Sequence, residues 1–161
     1  APYVTLSPET AFVAEDAEGV AGYLVRVSDT LPSQAKLDRD RWPAPRSASP
    51  PPQGAPALWN ADEKRIAAIH HPSSAPAAII EAFPAHIHMN LLSRLRGQGM
   101  GTKLLDLWLS QARHAGVKSV HLGASATNAN GIGVWGSRGF TRLGPPLVEP
   151  SERTVWFGQT L

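Results

Sequence analysis

The stretch HIHMNLLSRLRGQGMGTKLLDLWL, residues 86–109, decides how this chain is read. It opens with Ile87, Met89 and Leu91 alternating with His86, His88 and Asn90, the period-two pattern of a strand with two distinct faces. It closes with Leu104, Leu105, Trp108 and Leu109 at helical spacing, continued by Ala112. Thr102, Lys103, Asp106, Ser110 and Arg113 take the other face of that helix. Between strand and helix, Gly97, Gly99 and Gly101 stand at every second residue. Glycines at such a turn let successive amides converge on one point. The helix start adds a partial positive charge worth ~0.3–1 kcal/mol per nearby anionic group. A pyrophosphate suits that site; the plain alternative is a tight turn that binds nothing.

Two phosphate loops fail on spacing. A Walker A loop requires Gly-x-x-x-x-Gly-Lys-Ser/Thr, whereas here Gly101 is followed by Thr102 and then Lys103. The dinucleotide fingerprint requires a third glycine three residues after the second, which Gly97, Gly99 and Gly101 do not provide. What remains is Arg96-x-x-Gly99-x-Gly101 at a helix start.

Downstream, Gly116 is a natural stop for the helix, and residues 117–124, VKSVHLGA, read as a second strand. A β-α-β unit this short implies parallel neighbours joined by a right-handed crossover. Asn128 opens a weaker helix, diluted by Gly131, Gly133 and Gly136 and ended by Gly139. Residues 140–143 and 154–159 read as closing strands. Upstream, residues 11–27 read as a β-hairpin turning at Glu18-Gly19. A short helix is expected over 33–40. Pro43, Pro45, Pro50, Pro51, Pro52 and Pro56 then mark residues 43–56 as a proline-rich loop of low order. Asn60, with Glu63 three residues on, caps a helix over 61–70 that Pro72 ends, and a helical turn is expected over 75–82.

The 161 residues suit one domain, 1–161, of mixed α/β class. With no cysteine in the chain, a disulfide framework, a thiolate metal site and a thiolate nucleophile are excluded. A net charge of +2, without a basic run carrying interleaved aromatics, fits an anionic small ligand and gives no expectation of nucleic acid. No apolar run approaches the ~18 residues of a membrane span, and no signal-peptide pattern opens the chain. The expectation is a cytoplasmic protein away from the membrane.

Arg96-x-x-Gly99-x-Gly101 resembles the acyl-CoA-binding motif of the GCN5-related N-acetyltransferases (GNAT family). The second motif of that family, Asn-x-x-Ala-x-x-x-Tyr-x-x-x-Gly-Phe, stands here as Asn128-x-x-Gly131-x-x-x-Trp135-x-x-x-Gly139-Phe140. The resemblance is specific over residues 85–143. A softer one covers more of the chain. GYLVRVSDT at 22–30, Trp42-Pro43 and Phe83-Pro84-Ala85-His86-Ile87-His88-Met89 are similar to the acetyltransferase-like domain of O-GlcNAc hydrolases and its bacterial relatives.

The resemblance implies a single-domain mixed β-sheet with flanking helices, the acyl-CoA N-acyltransferase (GNAT) fold, and acetyl-CoA as the ligand. It implies a motif strand that splays from the next strand, with pantetheine in the gap against the backbone of Met89, Leu91 and Leu92. It puts the pyrophosphate on the amides of Arg96, Gly97, Gln98, Gly99, Met100, Gly101 and Thr102, with Arg94 and Arg96 as candidate phosphate partners. Asn128 would touch the cofactor, cap the helix, or do both.

Two departures bear on catalysis. The family tyrosine that protonates the leaving thiolate is Trp135 here, whose indole N–H is not a usable acid; packing against cofactor or core is its expected role. Relatives often carry a carboxylate where Asn90 stands, and an amide cannot act as a base. His86 and His88 share a strand face with Asn90 and could take the proton of an acceptor amine. The alternative is that they are hydrogen-bonded strand histidines. Glu81 and Glu15 are more distant options. His70 and His71 read as a helix end, His121 as a satisfied sheet residue, and no metal site is expected.

The implied function is acyl transfer from acetyl-CoA to an unidentified amine. The rival is a pseudo-acetyltransferase that holds acetyl-CoA as a binding module. A cofactor-free interaction domain leaves the glycine turn unexplained.

Overall fold

A computed structural model of the chain describes residues 3–4 and 8–161. Among these residues six strands form one sheet: β1 (Phe12–Asp16), β2 (Gly19–Val27), β3 (Ala85–Leu91), β4 (Ser119–Ser125), β5 (Thr141–Arg142) and β6 (Thr154–Thr160). Their order across the sheet is β1-β2-β3-β4-β6-β5. Every neighbouring pair is antiparallel except β3 and β4, which run parallel. This is the mixed α/β single-domain architecture of the acyl-CoA N-acyltransferase fold, as the residues 85–143 imply.

The central pair is barely a pair. β3 meets β4 only through Ala85 with Val120 and His86 with His121. Beyond His86 the β4-facing edge of β3 has no ladder partner, while its other edge stays zipped to β2 from Val27 opposite His86 to Gly22 opposite Leu91. β4, in turn, is paired along its whole length to β6. A wedge-shaped split therefore opens in the middle of the sheet, with both of its walls held rigidly from behind.

The sheet is flanked by α1 (Thr30–Asp40), α2 (Pro43–Ala48), α3 (Ala61–His70), α4 (Ala77–Ala82), α5 (Met100–His114) and α6 (Ala129–Ser137). Leu104, Leu105, Trp108, Leu109 and Ala112 of α5 are all buried against the sheet, the stripe that its periodicity predicts. Trp108 and Leu105 are fully covered, as are Leu24 on β2 and Val120 on β4. Burying one such side chain stabilises the fold by ~1.5–3 kcal/mol. At the end of α5, Gly116 takes φ +74, the left-handed conformation of a helix stop.

Three local expectations need correction. The proline-rich stretch is not a loop throughout, because residues Pro43–Ala48 form α2. Pro43 and Pro45 lie in the first helical turn, where amides have no intrahelical acceptor and proline costs nothing. The helix is tied down by Arg46, which donates from Nε to the Ile69 carbonyl at 3.0 Å and from Nη2 to Asp38 at 2.9 Å. Second, α1 begins at Thr30 rather than Ser33, because Asp29 accepts from the Leu31 amide and caps it. Third, β4 starts at Ser119, two residues after Val117. The capping box of Asn60 and Glu63 at the start of α3 is formed as the sequence predicts.

Candidate functional site

Two clefts are lined by β3, one by its residues 89–91 and the other by residues 86–88. The first, of about 560 Å³, lies between the end of β3, the turn into α5 and the start of α6. Gly97 and Gly99 both adopt φ +74, which a side chain would strain, and they swing the backbone into the α5 start. Gly99 is the N-cap residue and has no side chain to satisfy the helix. The amides of Met100, Gly101 and Thr102 thus have no acceptor inside the helix, and all three residues line the cleft. Gly101 keeps its floor open, since a Cβ there would sit 3.3 Å from Leu91 and 3.5 Å from Met89.

Met89, Asn90, Leu91, Arg96, Gly97, Gly99, Met100, Gly101, Thr102, Asn128 and Trp135, all singled out by sequence, line this cleft. Leu92 and Gln98 do not. The Leu92 amide donates to the Ala21 carbonyl at 2.8 Å, and the Gln98 side chain donates to the Arg94 carbonyl at 2.7 Å. Arg94 is also turned away: its Nε donates to Asp16 at 2.6 Å, and this bond holds the Asp16 carboxyl below the usual range. Arg96 donates from Nε to the Leu91 carbonyl at 3.1 Å, bracing the turn against the end of β3. Asn128 caps α6 by accepting from the Gly131 amide at 3.0 Å. A Cβ on residue 131 would sit 2.5 Å from the Asn128 side-chain nitrogen, so the cap would have to shift to admit one. Trp135 is buried, stands edge-on to Phe140 at 5.4 Å between centroids, and forms part of the cleft wall.

The second cleft, of about 620 Å³, lies on the histidine face of β3, beneath α1 and residues 72–75. His86 lines it. Thr30 Oγ1 donates its single hydrogen to the Pro84 carbonyl at 2.7 Å, so at 2.9 Å from His86 Nδ1 it accepts. His86 therefore carries its proton on Nδ1, and its Nε2 lone pair accepts from the Tyr3 hydroxyl at 2.8 Å. Burial, with His121 and His88 nearby, pushes the His86 pKa down to about 4. The two other rings are lowered too, each chiefly by burial. Asn90 Nδ2 donates to Tyr23 Oη at 2.9 Å and to His88 Nε2 at 3.1 Å, which occupies the lone pair of His88. His121 donates from Nδ1 to the Phe83 carbonyl at 2.5 Å, which makes it a satisfied sheet residue.

Sequence reasoning missed Tyr3, Thr30, Trp42 and Trp156, all of which line this second cleft. Thr30 and Trp42 lie in the runs that carry the softer resemblance, but no pattern gives any of the four a site role, and the Tyr3–His86 contact spans 83 residues of chain. Glu15 and Glu81 are exposed and line neither cleft. Among the described residues no group of three His, Cys, Asp or Glu side chains is arranged to hold a metal. Among them, too, no helix is long and apolar enough to cross a membrane.

A parallel strand pair that splits beside an uncapped, glycine-framed helix start defines the acyl-CoA N-acyltransferase class. The chain belongs to the acetyltransferase (GNAT) family, whose model matches residues 3–140. SsHAT is similar in structure over 99% of this chain and 76% of its own, with a TM-score of 0.83 and 29% identity. Ard1 from Thermoplasma volcanium is 17% identical with a TM-score of 0.55, covering 99% of this chain and 75% of its own. The fold also recurs in yncA from Salmonella typhimurium, solved with its cofactor acetyl-CoA. There the TM-score is 0.50 and the identity 15%, over 93% of this chain and 63% of that one.

Proposed function

We propose that this protein transfers the acetyl group of acetyl-CoA to a primary amine. The observation that carries the reading is the split of β3 from β4 beside the open first-turn amides of α5. An anion held at a helix N-terminus is stabilised by those amides and by the helix dipole together. In this reading the amides of Gly97 and of Gly99 to Thr102 hold the pyrophosphate, and Arg96 stands at its edge. The unpaired edge of β3 at Met89 and Leu91 receives pantetheine in place of the missing β4 ladder. Catalysis rests on proximity, with a β3 amide polarising the thioester carbonyl. Trp135 and Asn128 shape the wall rather than move protons. Within the family, the runs at 22–30 and 83–89 support a place near the acetyltransferase-like domain of O-GlcNAc hydrolases.

A second reading, a binding module that holds acetyl-CoA without turnover, is favoured by Trp135 and Asn90 standing where a phenol and a carboxylate are common. One experiment separates the two. Calorimetry with acetyl-CoA measures binding, and CoA release over an amine panel measures transfer. Tight binding with CoA release supports the transferase, and tight binding with no release for any amine leaves the module. Absence of acetyl-CoA binding in a folded protein removes both.

A further inference from the structure

We propose that the second cleft is the acceptor subsite, that it takes a small primary amine borne on an uncharged aromatic ring, and that Tyr3 Oη receives the hydrogen bond of that amine. This rests on the acetyltransferase reading and adds to it the acceptor class and the first proton acceptor.

The charge of the cleft supplies the first argument. Among the described residues lining it, Asp38 is the one formally charged side chain, and it is already paired with Arg46 at 2.9 Å. An acidic acceptor needs a cation to neutralise it, and no lysine or arginine is among those lining residues. A polyamine or a basic peptide needs several carboxylates. What the cleft offers instead is rings: Tyr3, Trp42 and Trp156, with the histidines of β3 and β4. Tyr3 lies parallel to His88 at 3° and 6.5 Å between centroids, and Trp156 is tilted toward His121 at 6.1 Å. A volume of about 620 Å³ lies within the ~300–1,000 Å³ of small-molecule sites.

The hydrogen-bond chain supplies the second argument, because it has one direction only. Tyr3 spends its proton on His86 Nε2, His86 spends its Nδ1 proton on Thr30, and Thr30 spends its own on the Pro84 carbonyl. That carbonyl is a terminus, so the chain can take up one extra proton, and it takes it on His86. The free lone pairs of Tyr3 Oη are the point of entry on the cleft side. When an amine nitrogen attacks the thioester, a C–N bond forms and the C–S bond breaks, leaving a thiolate. The amine N–H breaks to Tyr3 Oη, while the phenolic O–H breaks to His86 Nε2. His86 is left as an imidazolium, which burial makes strongly acidic, so it returns the proton through Tyr3 to water or to the thiolate. This route needs neither a phenol at position 135 nor a carboxylate at position 90.

The test measures CoA release with phenethylamine, tryptamine, spermidine, a lysine-bearing peptide and glutamate as acceptors. The expected kcat/KM for the two aromatic amines exceeds the rest by about ten-fold or more. Tyr3→Phe keeps the ring and removes the hydroxyl. It is expected to lower kcat with phenethylamine by ~10²-fold, the lower end for a lost acid–base group, with KM for acetyl-CoA unchanged. Faster turnover of spermidine, glutamate or the peptide overturns the proposal, as does a Tyr3→Phe kcat within about two-fold of wild type. If no amine releases CoA, the transferase reading fails and calorimetry of phenethylamine against the CoA-bound protein decides the subsite. Binding that weakens in both Trp156→Ala and Tyr3→Phe upholds it, and any other result overturns it.

Discussion

The two clefts share a strand, yet one offers a ligand the backbone amides of a glycine turn and the other offers a set of side chains. On the α5 side the working groups are amides of consecutive residues, framed by Gly97 and Gly99 and floored by Gly101. Their geometry follows from the turn itself, and ligand charge is met by a dipole rather than by a titrating group. On the histidine side the working groups come from Tyr3, Thr30, His86, His121 and Trp156, held by contacts that span up to 83 residues of chain. Here burial shifts proton affinities, and the hydrogen-bond chain has a sense of direction. A site built on amides is most sensitive at the glycines that set their direction. A side-chain site is exposed to pH and to changes in distant segments.

The sharpest way to break this comparison is Gly99→Glu. It puts a side chain on a φ of +74 and a negative charge at the α5 start. Losing charge-assisted amide bonds at ~1.5–3 kcal/mol each predicts at least ~100-fold weaker acetyl-CoA binding by calorimetry. The hydrogen bonds of His86 should survive unchanged. Undiminished affinity in a folded mutant would remove the phosphate assignment.

The next effect is on stability against pH. The folded His86 pKa is about 4, below the ordinary 6.5, so between those values the unfolded chain binds the proton and the folded one does not. Stability then rises with pH through that window. Acidification from pH 7 to pH 4 should remove up to ~3 kcal/mol through His86 alone. His88 and His121, both lowered, act in the same direction. Urea midpoints measured at pH 7 and pH 5 check this, with His86→Gln expected to flatten the dependence. A midpoint that does not move between those pH values contradicts the buried, neutral histidine.

A smaller effect sharpens the division of labour. Trp135→Tyr restores the family phenol on the cofactor side. If protons move on the other face, CoA release should rise by less than ~3-fold. A gain of about ten-fold or more would place the acid beside the cofactor after all. The smallest effect expected is that of Arg94→Ala. Its guanidinium is spent on Asp16, so acetyl-CoA affinity should change by less than ~3-fold in a titration.

Much of the backbone cleft is legible in the sequence, because its determinants are local. The alternation from His86 to Leu91, the glycines and the buried stripe of α5 each lie within one element. The misreading of residues 43–48 is also local. Proline density suggests disorder, but the consequence of a proline depends on its place in the helix, and Pro43 and Pro45 fall in the first turn. The other cleft is different in kind. His86 and His88 are visible as candidates, but whether a histidine is a free base depends on its partners. Thr30 and Tyr3 for the one, and Asn90 for the other, decide that.

By itself, then, the sequence determined the strand–turn–helix unit, the stripe of α5, the absence of thiol chemistry and the residues able to meet a phosphate. These follow from periodicity and from the conformations glycine permits, which act over a few residues. Tertiary structure alone decided how far β3 parts from β4, which lone pairs of the histidines are occupied, and that Tyr3, Trp42 and Trp156 line a single cleft. Those outcomes depend on burial and on hydrogen bonds between residues far apart in the chain. A side chain's proton affinity is a property of the medium around it, and that medium exists only once the chain has folded.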